Sequence, residues 1–326
     1  MERYPIAVFE TWAREPILRR MKDGALVCTF LTGGPTEPHN DNVVMLSRSE
    51  DDGVTWSEPK TLFSHNKRGC WCTEIFTECE EPFAVVHTYN APSQHRELQA
   101  FRSFCDESGK TWTEPVSFRG INGCSFRQGI RLSNGDILFP VYWQEVHRSF
   151  DWPEKEKGWD LESWPFVSGA AISHDNGKSF TRYGDIRADV SLWEPNAIEV
   201  EPGHIILYCR AGAPELMISE SFDYGKTWSE PVLSGIPNPD TKVTLVKARG
   251  QILMINNFNR EVREDLCIYK STDGKRFEKI TPVAEENRRL FYPHAFADEE
   301  KEKLYVAYEN GKKHWLKVFS YDELGI

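Results

Sequence analysis

The 326-residue chain predicts an all-β ring of repeated four-stranded antiparallel sheets, on three observations. A box rich in Ser, Asp and Gly that ends in an aromatic residue recurs along it. Alternating strand-like runs such as Ile137–Tyr142 and His204–Cys209 dominate, and segments of long helical periodicity are few. Aromatic residues make up 13% of the chain, which supplies the large rings that packing one sheet on the next requires.

The box is clearest at Ser49-Glu50-Asp51-Asp52-Gly53-Val54-Thr55-Trp56 and at Ser221-Phe222-Asp223-Tyr224-Gly225-Lys226-Thr227-Trp228, each followed by Ser-Glu-Pro. Ser173–Phe180 is a third copy, with Phe for Trp. Cys105–Trp112 is degenerate, with Cys in the Ser slot and Glu107 in the Asp slot, and Ser271–Phe277 is one residue shorter. The starts lie 56, 68, 48 and 50 residues apart, the spacing of architectures that use one repeat per blade. Ser and Asp bond local backbone donors and Gly accepts positive φ, so each box is expected to turn a tight hairpin between the two outer strands of a blade.

A second kind of turn precedes four of the five boxes. Lys22-Asp23-Gly24, Asn134-Gly135, Pro202-Gly203 and Arg249-Gly250 each separate two strand-like runs and read as inner hairpins. Five boxes and a boxless final section, Arg289 to Ile326, give a six-bladed β-propeller of four-stranded antiparallel sheets, a single domain over 1–326. The N-terminal strand is expected to pair into the last blade and remove the exposed edges. The polar, Trp-rich stretch His147–Trp164 reads as an insertion at the rim.

Composition narrows the function. A net charge of −11 argues against nucleic acid, so an anionic ligand needs a local basic cluster. No stretch is long enough to cross a membrane, and the first residues lack a secretory signal pattern. The eight scattered cysteines read as reduced core residues of a cytoplasmic protein. Cys70-Trp71-Cys72 is too closely spaced for a zinc knuckle, and neither a metal nor a cofactor is expected.

Inner strands of a propeller aim one set of ends at a central pocket, where residues far apart in sequence meet. Arg14, Arg210 and Arg263 (or its neighbour Arg260) stand at that phase in three blades, and three guanidiniums suit one carboxylate. Taken singly, each is as readily a surface arginine. Glu194 opens the strand that leads to Arg210, and Tyr292 opens the last blade. A carboxylate beside a phenol can take its proton, and arginines stabilise the phenolate. Asp41 or Glu37 is the candidate general acid/base. His39, His87, Arg127, Gln128 and His294 are candidates for the remaining pocket wall.

This pattern resembles the sialidase superfamily, six-bladed propellers with Asp-box repeats, over nearly the whole chain. Arg14-Glu15-Pro16 is similar to the Arg-Ile-Pro found near the N-terminus of sialidases. Glu194-Pro195 with Arg210 sixteen residues later, Arg263 shortly before the last box, and Tyr292 at the final blade match further members of the pattern. The resemblance implies a retaining exo-glycosidase for a terminal acidic sugar in a glycan or oligosaccharide. The three arginines would hold the carboxylate, Tyr292 aided by Glu194 would attack the anomeric carbon, and Asp41 would protonate the leaving oxygen. Sialidases depart from the two-carboxylate scheme of most glycosidases by using a Tyr nucleophile. A neutral nucleophile avoids repulsion by the carboxylate on the same anomeric carbon. Two residues depart from the pattern. Glu15 replaces the Ile and is expected to neutralise part of the clamp. The usual register of the acid falls on Pro38, between Glu37 and Asp41.

Two other functions fit the same scaffold. A polysaccharide lyase would use His294 or His87 with Tyr292 to remove a proton beside a uronate carboxylate. A non-catalytic glycan-binding propeller would stack sugars on Trp71, Trp143 or Trp193.

Overall fold

The computed structural model describes residues 3–118, 121, 123–144, 165–285 and 289–326. The insertion expected at His147–Trp164 lies outside them. Strands follow one another in six antiparallel sheets. Blade 1 runs Ala13–Arg20, Leu26–Thr32, Val43–Ser49 and Lys60–Phe63. Blade 2 spans Gly69–Phe76 to Val116–Ser117, blade 4 Leu192–Glu201 to Val232–Pro237, and blade 5 Thr244–Ala248 to Glu278–Pro282. In blade 3 the innermost strand is split into Ser125–Phe126 and Ile130–Arg131, both paired with Ile137–Gln144.

Blade 6 takes Phe291–Asp298, Lys303–Glu309 and Lys313–Ser320 from the C-terminal part, and its outer strand, Tyr4–Val8, from the N-terminal part. This is the expected closure. It is reinforced between blades 1 and 6 by a cluster that includes Leu18, Leu26 and Phe30 against Tyr305, Ala307 and Leu316. Similar apolar wedges fill the other blade junctions, so the core is divided among the seams. Among the described residues no helix is long and apolar enough to cross a membrane. None of the eight cysteines is in a disulfide.

Each box joins the third and fourth strands of its blade, as its residue types predict. Gly53 N–H donates to Ser49 Oγ at 2.8 Å, Thr55 N–H to Asp51 Oδ1 at 2.8 Å, and Trp56 Nε1–H to the Gly53 carbonyl at 3.0 Å. The boxes at Ser173 and Ser221 repeat the Ser and Asp bonds. Gly53 is required twice over: its φ is +94°, and a Cβ there would come within 2.1 Å of Leu316 Cδ2 in blade 6. In the degenerate box the alignment differs from the sequence reading. Asp106, not Glu107, is the acceptor, taking Lys110 N–H at 3.1 Å and Ser108 Oγ–H at 2.8 Å.

Asp52, inside the first box, ties blade 1 to blade 6. It pairs with Arg20 at 2.6 Å and Lys301 at 2.9 Å and accepts the Tyr305 hydroxyl at 2.8 Å. Partial burial works against its charge, but Lys301, Arg20 and Tyr305 outweigh that and hold its pKa at about 2. A depressed carboxyl contributes its stabilisation above the unfolded value, near ~3.9. That contribution is lost as pH falls through about 2. Thermal melting from pH 5 downward should therefore fall more steeply for the wild type than for Asp52→Asn, the two curves converging at the acid end. Parallel curves would contradict this role.

Candidate active site

At one end of the ring axis a cavity of about 470 Å³ is lined by Arg14, Arg210 and Arg263 together with Glu15, Glu37, Glu194 and Tyr292. Aromatic side chains from blades 2, 3 and 4 (Trp71, Tyr142, Phe166 and Trp193) form much of the remaining wall, with Trp12 of blade 1 beside them. The three arginines predicted to converge thus meet in one cavity, and the predicted Tyr and Glu are there with them.

Local backbone geometry explains how three of these residues reach it. Glu15, Glu194 and Tyr292 each precede a proline and adopt φ of 54°, 42° and 52°. Positive φ is uncommon for residues other than glycine, and a following proline disfavours the helical region as well. Each lies where its strand slips register against its neighbour: between Arg14 and Ile17, between Trp193 and Asn196, and between Phe291 and His294. The three slips are β-bulges, which re-aim a side chain at the cost of strain. The sequence signal is X-Pro near the start of an innermost strand, in blades 1, 4 and 6.

Arg210 is the hub of the charged half. Its Nη1 donates to Glu194 Oε2 at 2.8 Å and to Tyr292 Oη at 3.0 Å. Its Nε and Nη2 donate to the two carboxylate oxygens of Asp240 at 2.7 and 3.0 Å. The guanidinium also lies over the Trp193 ring at 4.4 Å. Arg263 donates to the Asp240 carbonyl at 2.8 Å and covers the Tyr292 ring. The Arg14 guanidinium makes no hydrogen bond or ion pair among the described residues. Nearby it stands Glu309, fully buried on blade 6 and bonded to the Gly311 N–H.

These surroundings separate the ionisable groups. Burial and the Glu194 charge push the Tyr292 phenol up to about 12, against the pull of Arg210 and Arg263. Burial also works against the Glu194 charge, but Arg210 and Arg127 prevail and keep that carboxyl below its usual range. Glu37 goes the other way: enclosure, then the nearby Glu15 charge, raise it to about 7, although Arg14 opposes. A carboxyl poised there holds a proton near neutrality and can give it up.

Glu15 behaves differently from expectation. Instead of cancelling Arg14, its carboxylate forms a salt bridge with Arg127, accepts Trp71 Nε1–H at 2.6 Å and stands 3.6 Å from Lys242 Nζ. Two buried cations below the floor compensate it, so the clamp keeps its charge. Arg127 is therefore a floor support, 2% exposed, rather than wall lining. His294 lies two residues deeper than Tyr292 on the same strand, fully buried, with Nδ1 accepting Leu18 N–H at 3.2 Å. His87 and Gln128 are likewise buried outside the cavity lining.

Asp41 is exposed on the loop, its carboxylate 3.5 Å from His39 Nδ1, and neither residue lines the cavity. Of the two candidate acids, only Glu37 does. Arg260 is exposed and pairs with Glu215, leaving the third arm to Arg263. Trp143 packs under Arg182, away from the cavity. Sequence reasoning missed Asp240, Lys242 and Glu309. Asp240 had one faint signal, a Pro-Asp step just before an innermost strand. Among the described residues no group of three or more His, Cys, Asp or Glu side chains is arranged to hold a metal ion.

Comparison with known proteins agrees with this architecture. Residues 24–306 match the model of the BNR repeat-like domain. A sialidase from Bacteroides fragilis (strain YCH46) is 23% identical, the match covering 64% of this chain and 42% of that protein, so the chain spans less than half of this relative. Three solved structures share the fold. A protein of unknown function from Dyadobacter fermentans has a TM-score of 0.75 at 17% identity, covering 98% of this chain and 97% of that one. The Hadza microbial sialidase Hz136 gives 0.76 at 16%, covering 96% and 66%. Trypanosoma rangeli sialidase, solved with the inhibitor DANA, gives 0.71 at 18%, covering 99% and 58%. At these identities the likeness is one of fold. With its six blades and a family match across most of its length, the chain belongs to the BNR repeat-like domain family of the sialidase propeller superfamily.

Proposed function

We propose that the protein is a retaining exo-glycosidase that removes a terminal acidic sugar, sialic acid or a related keto-deoxy sugar, from a glycan. The observation that carries this reading is Arg210 Nη1 bridging Glu194 and Tyr292 at 2.8 and 3.0 Å, in a cavity whose other cations are Arg14 and Arg263. The sugar carboxylate is drawn to the positive charge of Arg14, Arg210 and Arg263. Tyr292 Oη attacks the anomeric carbon and passes its proton to Glu194. Glu37 gives its proton to the departing glycosidic oxygen. In the second half, Glu37 takes a proton from water, which attacks the anomeric carbon. The bond to Tyr292 breaks, and Glu194 returns the proton to the phenolate.

The sialidases named among the relatives support this substrate class, and the 470 Å³ cavity has room for one sugar with its substituents. The lyase reading relied on His294 or His87 beside Tyr292, and neither histidine lines the cavity. The test is product analysis on a panel of aryl ketosides of acidic sugars and of uronate-containing oligosaccharides. The expected result is a free reducing acidic sugar. An ultraviolet-absorbing unsaturated product would make it a lyase, and binding without product would make it a lectin-like propeller.

A further inference from the structure

The guanidinium of an arginine has five N–H donors. Four of Arg210's are engaged: Nε and one on Nη2 with Asp240, and both on Nη1 with Glu194 and Tyr292. Asp240 occupies the fork edge through which an arginine grips a carboxylate side by side. Arg14 and Arg263 are in the opposite condition. Arg14 has no hydrogen-bond partner among the described residues, and Arg263 has one, the Asp240 carbonyl.

Asp240 itself stands just before the first strand of blade 5, with φ of 51°. Its carboxylate also accepts Trp193 Nε1–H at 3.1 Å. One residue on the seam between blades 4 and 5 thus fixes two arginines and the tryptophan beneath one of them. It does not line the cavity. We propose that Asp240 is a positioning residue that commits Arg210 to the Tyr292–Glu194 pair, leaving the hydrogen bonds to the substrate carboxylate to Arg14 and Arg263. Arg210 still lends its charge to the cavity, while its directed donors serve the attacking phenol. This rests on the glycosidase reading for its kinetic consequence, though not for its geometry.

The test is Asp240→Asn. Asparagine tolerates positive φ, so the backbone carbonyl that holds Arg263 stays in place. The neutral amide cannot accept at both oxygens, and Arg210 is freed to turn. A small misplacement of a reacting group costs up to ~10²-fold, so kcat should fall by at least about tenfold. Affinity for a non-hydrolysed, ring-unsaturated acidic sugar analogue, which reads the carboxylate grip, should stay within about threefold. In Arg-selective ¹⁵N spectra, the wild-type Arg210 Nε–H, assigned by its absence in Arg210→Lys, should exchange slowly with solvent, and that protection should vanish in Asp240→Asn. Unchanged kcat, an analogue affinity that falls in step with kcat, or an Arg210 Nε–H equally exposed in both proteins would each overturn the proposal. If the wild type hydrolyses no acidic ketoside, the glycosidase reading fails, and the Nε–H exchange alone decides the role of Asp240.

Discussion

Tyr292→Phe is expected to lose at least about 10³-fold in kcat, on the scale at which loss of an attacking group is felt. Binding of an acidic sugar analogue should persist. Phe keeps the ring, which packs against Phe291 with centroids 5.8 Å apart and lies under Arg263, so the bulge and the fold survive. Only the oxygen that accepts from Arg210 is removed. Steady-state kinetics beside analogue binding separates the two effects. Retained full activity would remove Tyr292 from the reaction, and lost binding would make it a binding group.

The second large effect belongs to Glu37. As the acid it must be protonated, and its pKa near 7 means that kcat/KM should decline as pH rises through 7. Glu37→Gln should abolish that alkaline limb. It should also lower activity by about 10²–10⁴-fold on a natural glycoside, whose leaving oxygen needs a proton. On a nitrophenyl ketoside, whose leaving group departs without one, the loss should be far smaller. Asp41→Asn, altering an exposed loop residue, should change neither. A Glu37→Gln profile that keeps its alkaline limb, or an Asp41→Asn loss of the same size, would reverse the assignment of the acid.

The fold was legible because it is written five times. Ser, Asp, Gly and an aromatic at fixed offsets make one hairpin, and each copy docks its glycine on the preceding blade, as Gly53 does on Leu316 and Gly225 does on Leu138. The residues that converge were legible where they stand at or just before an X-Pro step opening an innermost strand, as Arg14, Glu194 and Tyr292 do beside the bulges. Residues serving only one seam have no such repetition. Asp240 sits between blades, and Lys242 and Glu309 are paired or enclosed by residues more than 200 positions away in sequence or brought close by ring closure. Asp41 and Glu37 are four residues apart on one loop, and which of them faces the cavity is set by the loop's path, which spacing does not encode. Glu15 beside Arg14 looked like a neutralising pair. The bulge at Glu15, with φ of 54°, re-aims its side chain, and Glu15 found its cations in blades 3 and 5 instead.

A phenol that attacks an anomeric carbon leaves a covalent mark. Incubation with an acidic sugar carrying fluorine at the anomeric carbon and at its neighbour lets the Tyr292 oxygen displace the anomeric fluoride, while the second fluorine slows release. Intact-protein mass and peptide mapping should then find one sugar residue on Tyr292 in the wild type and none in Tyr292→Phe. Hydrolysis of acidic ketosides with the adduct on another side chain, or with no adduct at all, would contradict the account.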